Sequence, residues 1–155
     1  MTVAIVSVDS SGTFEEPPIW FVAVRKVNVQ EHNALRLDEE QCSNYKRIIE
    51  KNWREKVSAT SIFKSLRPLV KHFDIIQIDK DFLGWRKDYV ERYLKTLFGK
   101  EFCGQYPLCE AKIQFIPKKY SPDVRLAHVK TRKARHKEIK SYDCPDLFEL
   151  IQWLE

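Results

Sequence analysis

The chain has 155 residues, of which 43% are hydrophobic and 12% aromatic, and its net charge is +5. This length can bury one proper core but does not divide comfortably into two. No run approaches the roughly 18 apolar residues of a membrane span, and the apolar start lacks a basic leader or a cleavage signal. We therefore expect a single domain over residues 1–155 in the cytoplasm, without a membrane partner.

Alternating strand and helix patterns predict an α/β fold, with a mixed sheet covered by helices on both faces. Runs of apolar, β-branched and aromatic residues predict its strands, and Gly and Pro residues break the chain after the first of them. The predicted strands are residues 3–8, 19–29, 34–37, 73–79 and 110–117. No Asn-Gly or Gly-Gly pair fixes the hairpin before the third strand.

Apolar residues at helical spacing predict the helices. The first begins at Asp38, which is followed three residues later by a glutamine, as in a capping box. Pro68 should kink or shorten the second, and Gly99 should end the third. Ser121 and Pro122 are typical of the cap and first position of the fourth. The predicted helices are residues 38–56, 58–73, 84–99, 121–139 and 146–155.

Two predicted strands end on an acid. Asp9 follows residues 3–8, and Asp79 ends residues 73–79. If these strands are parallel neighbours, both carboxylates emerge at the carboxyl edge of the sheet, where sites form in such folds. Mg²⁺ or Mn²⁺ between them would offset their repulsion and could activate water against a phosphodiester. The alternative is that both acids only cap strand ends or loops.

The positive charge is concentrated late in the chain. Residues 118–140 contain nine Lys or Arg and two acids, a local charge of +7, against −2 for the remainder. Such a segment predicts a binding surface for a nucleic acid, whereas the alternative is an ordinary solvated helix face. The residues expected to bind phosphates are Lys130, Arg132, Lys133 and Arg135.

Two histidines lie on the same predicted helix. His128 and His136 share one helical face with Arg132 and Arg135. A basic face that carries histidines beside an acidic edge could hold one phosphate strand during metal-dependent cleavage. Both histidines are therefore candidate catalytic residues, and the alternative is that each is an ordinary surface residue.

The order of elements and the acids that end the first and fourth strands resemble the ribonuclease H-like superfamily over nearly the whole chain. The closest local similarity is to type 2 ribonucleases H, whose first strand ends in Asp-Glu-Ala-Gly where residues 9–12 read Asp-Ser-Ser-Gly. Their late helix follows Tyr-Pro-x-Val and contains Ala-Ser-Ile-x-Ala-Lys-Val-x-Arg-Asp, against YSPDVRLAHVKTRKARHKEI at residues 120–139. The similar positions are Pro122, Val124, Ala127, Val129 and Arg135.

The resemblance implies a five-stranded mixed sheet and a nuclease that uses Mg²⁺ or Mn²⁺ held by Asp9 and Asp79. Ser10 and His136 stand where the family has two further acids. An inactive nucleic-acid-binding or interaction module with the same fold is therefore the alternative. Whether the substrate is RNA, DNA or a hybrid stays open.

Other residues could complete such a site. A helix acid could replace the one missing at Ser10, and an acid or a histidine on the last long helix could supply the final metal ligand. The candidates are Glu40 and Glu50 for the first role, and Asp123, His128 and His136 for the second.

The four cysteines lack Cys-x-x-Cys spacing. They are Cys42, Cys103, Cys109 and Cys144. Reduced, partly buried thiols are the expected state, and the alternative is zinc held by Cys103 and Cys109 with a distant histidine.

Overall fold

The computed structural model describes residues 4–71, 74–80, 86–101 and 112–155. A mixed sheet of six strands has the order β5-β4-β1-β2-β3-β6. The strands are β1 (Ile5–Ser11), β2 (Ile19–Lys26), β3 (Gln30–Leu37), β4 (Ile75–Asp79), β5 (Lys112–Ile116) and β6 (Tyr142–Asp143). β2 is antiparallel to β1 and β3, whereas β4 is parallel to β1 and β5, and β6 is parallel to β3.

The sheet has one strand more than the five predicted. Tyr142 and Asp143 pair with the end of β3, and the backbone N–H of Cys144 donates to the carbonyl of Arg36 over 2.8 Å. A strand of two residues has no periodicity that could identify it in the sequence. β3 is also longer than the predicted residues 34–37, because it pairs with β2 over its whole length.

The helices of the described ranges lie close to the predicted ones. They include α1 (Glu39–Ile48), α2 (Trp53–Leu66), α3 (Lys87–Glu101), α4 (Pro122–Arg135) and α5 (Phe148–Trp153). The capping box at Asp38 and the cap at Ser121 are confirmed, and α2 ends before Pro68.

Several predicted helix boundaries are wrong, including the ends of α2 at Leu66 instead of residue 73 and of α4 at Arg135 instead of residue 139. The first helix does not continue to residue 56, because Asn52 adopts a left-handed conformation with φ 56° and separates α1 from α2. Gly99 does not end α3, which continues to Glu101. An interior glycine weakens a helix by about 1 kcal/mol, which packing on the rest of the fold can offset.

Alternation along the strands divides their side chains between two layers. Val6 and Val8 face the larger core, in which residues of α1, α2, α3 and α5 are buried. Val22 and Val24 face the opposite side, where Ala127 and other residues of α4 pack on them. Helices therefore cover both faces, as predicted. Small residues at the packing positions of α4 allow this helix to lie close to the sheet.

No helix in the described ranges is both long and apolar enough to cross a bilayer.

Cys42 and Cys144 are buried free thiols, as predicted. Burial is the main cause that raises the pKa of Cys42 to about 11 and that of Cys144 to about 12. The zinc candidates Cys103 and Cys109 lie outside the described residues.

Candidate active site

The parallel pairing of β1 and β4 brings Asp9 and Asp79 together. The register pairs Val8 with Ile78, so the next residue on each strand is an aspartate. Asp9 is 3% exposed and Asp79 is 4% exposed. Their side chains form a hydrogen bond with each other. The adjacency expected from the sequence is confirmed, and both carboxyl groups are removed from water.

His128 reaches this pair from α4. Its Nδ1 lies 3.0 Å from Oδ2 of Asp9, and its side chain keeps 32% of its surface exposed. The preceding residue, Ala127, is fully buried in the cluster with Val22 and Val24 of β2, which holds this helical turn against the sheet. The imidazole therefore contacts the buried pair on one side and remains accessible on the other.

The protonation states of these groups follow from their surroundings. Burial, together with the hydrogen bond and the charge of Asp79, raises the pKa of Asp9 from 3.8 to about 8. Burial and then the charge of Lys118 lower the pKa of His128 below 6.5, and Asp79 offsets this only in part. At neutral pH Asp9 is therefore protonated and His128 is neutral. Their contact is a hydrogen bond between uncharged groups instead of an ion pair.

Lys118 is a member of this site that the sequence analysis missed. It follows β5 in a short 3-10 turn, Lys118–Tyr120, and its charge acts on both Asp9 and His128. β5 pairs with β4 so that Ile116 lies opposite Asp79. Because residues that follow parallel strands meet at one edge, the position of Lys118 just after a predicted strand was the available signal.

A chain of polar contacts fixes the start of α4 on the sheet. Ser121 Oγ donates to Gln77 Oε1 over 2.5 Å, and Gln77 Nε2 donates to Gln114 Oε1 over 3.0 Å. Ser7 Oγ donates to the backbone carbonyl of Asp123 over 2.8 Å. Gln77 and Ser7 each precede a site aspartate by two residues and share its face of the sheet. These contacts hold α4 over the same two strands that carry the aspartates.

Other predicted ligands do not join the pair. Glu40 and Glu50 are exposed, and Asp123 meets the sheet through its backbone carbonyl. His136 is exposed at the C-cap of α4, eight residues and therefore about 12 Å along the axis from His128. The described residues contain no group of three or more His, Cys, Asp or Glu side chains that could hold a metal ion.

The predicted phosphate-binding residues divide between two sides of α4. Arg132 and Arg135 are exposed on the side of the aspartates, where Arg132 acts on the pKa of His128 and Arg135 Nη1 lies 3.4 Å from Ser11 Oγ. Lys130 lies near His32 of β3 and lowers its pKa, although burial is the larger cause. Lys133 is half-buried. The two arginines are therefore the basic residues of α4 placed best to bind a phosphate near Asp9.

Comparisons of the chain with protein-family models, with curated proteins and with solved structures find no match.

Proposed function

We propose that this protein is a metal-dependent nuclease, a hydrolase of nucleic-acid phosphodiesters, with a ribonuclease H-like core formed by β1 to β5. The observation that carries the proposal is the pair of buried, hydrogen-bonded aspartates, Asp9 and Asp79, which lie side by side where the parallel pairing of β1 and β4 ends. A basic helix crosses the same edge. The order of strands and helices along the chain and the acids on β1 and β4 support the ribonuclease H-like assignment.

The donor set fits Mg²⁺ or Mn²⁺. These hard cations prefer oxygen ligands, and Mg²⁺ is commonly bound by one or two carboxylates together with substrate phosphates and water. Asp9 and Asp79 would supply the protein oxygens, and the substrate would complete the coordination. At neutral pH the proton on Asp9 lies between the two carboxyl groups. A cation in the same position would neutralise both carboxylates more effectively.

The surrounding side chains have distinct roles in this proposal. A bound ion would polarise the phosphodiester and lower the pKa of an attacking water. Lys118 adds positive charge beside Asp9, which favours an approaching phosphate. The neutral, partly exposed imidazole of His128 can accept a proton from water or return one to the leaving oxygen. Arg132 and Arg135 bind the neighbouring phosphates of the strand.

Cleavage of nucleic acid by the Asp79→Asn variant tests the proposal. Wild type should cleave single-stranded or hybrid substrates in Mn²⁺, and the variant should lose at least about 100-fold in rate, because one of two metal ligands is gone. Binding should persist, since affinity depends on the basic helix. Asp88→Asn is the matched control, because the Asp88 side chain is 78% exposed on α3. Activity that survives Asp79→Asn would contradict the proposal.

An inactive binding module is the second candidate. The observation that favours it is that the described residues contain no group of three or more His, Cys, Asp or Glu side chains that could hold a metal ion. In that case wild type would bind nucleic acid but would not cleave RNA, DNA or hybrid in Mg²⁺ or Mn²⁺. Asp79→Asn would then change stability alone.

Salt dependence tests the basic helix in either case. If Arg132 and Arg135 contact phosphates, replacing both by Ala should reduce the slope of log affinity against log salt by roughly 0.7 to 0.9 for each lost contact. Lys51 and Lys71 are exposed in other parts of the fold, so their double Gln variant is the charge-matched control. An unchanged slope in the arginine variant would remove α4 from the binding surface.

A further inference from the structure

A cleft of about 750 Å³ lies at the end of α4, between the helix terminus and the β2–β3 part of the sheet. Its wall combines one aromatic residue with several basic ones. The lining residues that matter here are Trp20, Arg36, Arg135, Lys137, Ile139 and Lys140. Glu138 is the acid among the lining residues. The cleft therefore carries a net positive charge and attracts an anionic ligand.

Trp20 and Arg36 line the cleft as a cation–π pair. Trp20 of β2 pairs across the sheet with Arg36 of β3, and the guanidinium carbon of Arg36 lies 5.9 Å from the centroid of the indole ring. Trp20 is half-buried and packs against the residues beneath α4. This packing restricts the indole before any ligand arrives. Planar aromatic and guanidinium groups are the surfaces on which unpaired bases stack.

The shape of the helix end places lysines around the cleft. After α4 the chain turns back through Lys137, which adopts φ 61°, and the N–H of Glu138 donates to the carbonyl of Lys133 over 2.8 Å. Ile139 then packs against the sheet beside Trp20. Lys137 and Lys140 consequently line the same cleft as Trp20, where their ammonium groups can meet backbone phosphates.

The cleft is continuous with the aspartate site. Ser11 pairs with Trp20 across β1 and β2, and Ser11 lies two residues, about 7 Å, beyond Asp9 on the same face of β1. Arg135 Nη1 bridges the two regions, since it lies 3.4 Å from Ser11 Oγ and its side chain also borders the cleft. A ligand strand that passes Asp9 would therefore enter the cleft within a short distance.

We propose that this cleft is a subsite for single-stranded nucleic acid, in which an unpaired base stacks on the Trp20–Arg36 pair and the adjacent phosphates contact Arg135, Lys137 and Lys140. It deepens the proposed function and rests on it in taking a nucleic acid as the ligand. A base in a duplex is already stacked on both sides and cannot present its face to this pair. The arrangement accordingly selects a single strand over a duplex.

Binding without metal tests the subsite. The probes are fluorescein-labelled oligo(dT) and oligo(U) of about 12 nucleotides and a blunt duplex of the same length, measured by anisotropy in EDTA. Wild type should bind both single strands more tightly than the duplex. Trp20→Leu should weaken single-strand binding by about 5-fold to 100-fold and change duplex binding by less than about twofold, because stacking on one aromatic residue contributes at this level.

Matched variants separate stacking from charge. Trp20→Phe keeps a ring and should retain most of the single-strand affinity at an unchanged salt slope. The double Gln variant of Lys137 and Lys140 should flatten the salt slope, whereas the double Gln variant of Lys51 and Lys71 should not. If Trp20→Leu fails to fold by circular dichroism, Arg36→Gln replaces it and should reduce the preference for single strands by about 5-fold.

Several outcomes would overturn the subsite. They are equal affinity of wild type for single strands and duplex, a Trp20→Leu variant within about twofold of wild type, or displacement of the oligonucleotide by polyglutamate as effectively as by unlabelled oligonucleotide. The last result would assign the cleft to acidic peptides. Because no metal is present, failure here leaves the cleavage test of Asp79→Asn untouched. Conversely, a protein that does not cleave can still show the predicted Trp20 effect.

Discussion

Asp74 and Asp9 are both buried carboxyl groups on the β1–β4 pair, but they lie at opposite ends of it. Asp74 immediately precedes β4 at the amino end. It accepts hydrogen bonds from Arg25 Nε over 3.1 Å, from the backbone N–H of Lys71 over 2.8 Å and from that of Ala4 over 3.4 Å. Its charge is matched by a guanidinium and by two backbone donors, so it stabilises the place where the strands begin.

Asp9 has the opposite surroundings at the carboxyl end. Its neighbours are the carboxyl group of Asp79 and the neutral imidazole of His128, and Lys118 acts on it as a nearby charge. Burial there favours the protonated form of Asp9 instead of the ionised one. Selection for stability alone favours the arrangement around Asp74. An arrangement that opposes ionisation is typical of a site that is completed by a ligand.

Asp74→Asn removes the carboxylate that pairs with Arg25. The change should lower the free energy of unfolding by about 3 kcal/mol, because it leaves the guanidinium of Arg25 buried without its partner. The Arg25 side chain is 12% exposed, so water compensates little. Urea denaturation measures the loss, with Asp88→Asn as the exposed control that should stay within about 0.5 kcal/mol of wild type. A loss below about 1 kcal/mol would contradict a structural role for Asp74.

The corresponding change at the other end should have the opposite sign. In EDTA at pH 8, Asp9→Asn should raise the free energy of unfolding by about 1 kcal/mol or more, because each unit of raised pKa corresponds to about 1.4 kcal/mol. Mn²⁺ should stabilise wild type but not the variant. Thermal and urea unfolding with and without Mn²⁺ measure both effects. Equal stabilisation of the two proteins by Mn²⁺ would place the metal elsewhere.

Stability should also depend on pH through Asp9 and His128. Asp9 loses its proton near pH 3.8 in the unfolded chain and near pH 8 in the folded protein. Between these values the folded state binds more protons, so the contribution of Asp9 to stability is lost as pH rises from about 4 to about 8. His128 has a lowered pKa and contributes with the opposite sign, with stability lost as pH falls through 6.5.

The measurement is a pH series of urea unfolding in EDTA for wild type and Asp9→Asn. Above about pH 6.5 the contribution of His128 is small, so the difference between the two proteins reports mainly on Asp9. Wild type should lose stability relative to the variant up to about pH 8. Parallel curves over this range would show that Asp9 is ionised in the folded protein.

The sequence was sufficient to predict that Asp9 and Asp79 would be adjacent if their strands were parallel neighbours, as β1 and β4 are. An apolar strand is a strong pattern, and parallel pairing brings the carboxyl ends of neighbouring strands to one edge, although β1 continues past Asp9 to Ser11. The cap at Ser121 was predictable for a similar reason, since its signal is local. The contact of His128 with Asp9 was not predicted, because helical spacing makes His128 a candidate on one face of α4 but does not show what that face meets.

Features set by tertiary contacts were not predictable. β6 exists because two residues after α4 reach the edge of β3, and no local pattern marks them. Tertiary structure places Lys118 beside the aspartate site and Trp20 in the cleft, yet in the sequence one is a member of a basic run and the other a member of an apolar strand. Spacing also placed His136 on the face of His128, although α4 ends before it.

Lys137, like Asp9, occupies a position that lowers the stability of the fold. It has φ 61° at the end of α4, where its N–H donates to the carbonyl of Ala134 over 3.1 Å. Glycine is the usual residue there, because a Cβ is strained in the left-handed region. Lys137→Gly should therefore raise the free energy of unfolding by about 0.5 kcal/mol, and it should also weaken binding of oligo(dT) by removing a charge of the cleft.

Lys137→Ala is the matched control, because it removes the same charge but keeps the Cβ. The alanine variant should lose binding as the glycine variant does, with a salt slope lower by roughly 0.7 for single strands, but it should gain no stability. Urea unfolding and anisotropy measure the two quantities on the same preparations. If glycine does not stabilise relative to alanine, the left-handed residue is not a source of strain. If both variants bind as wild type does, Lys137 does not contact a phosphate. Asp9 and Asp79 would then be the residues that occupy a destabilising position for the sake of a ligand, and Lys137 would not.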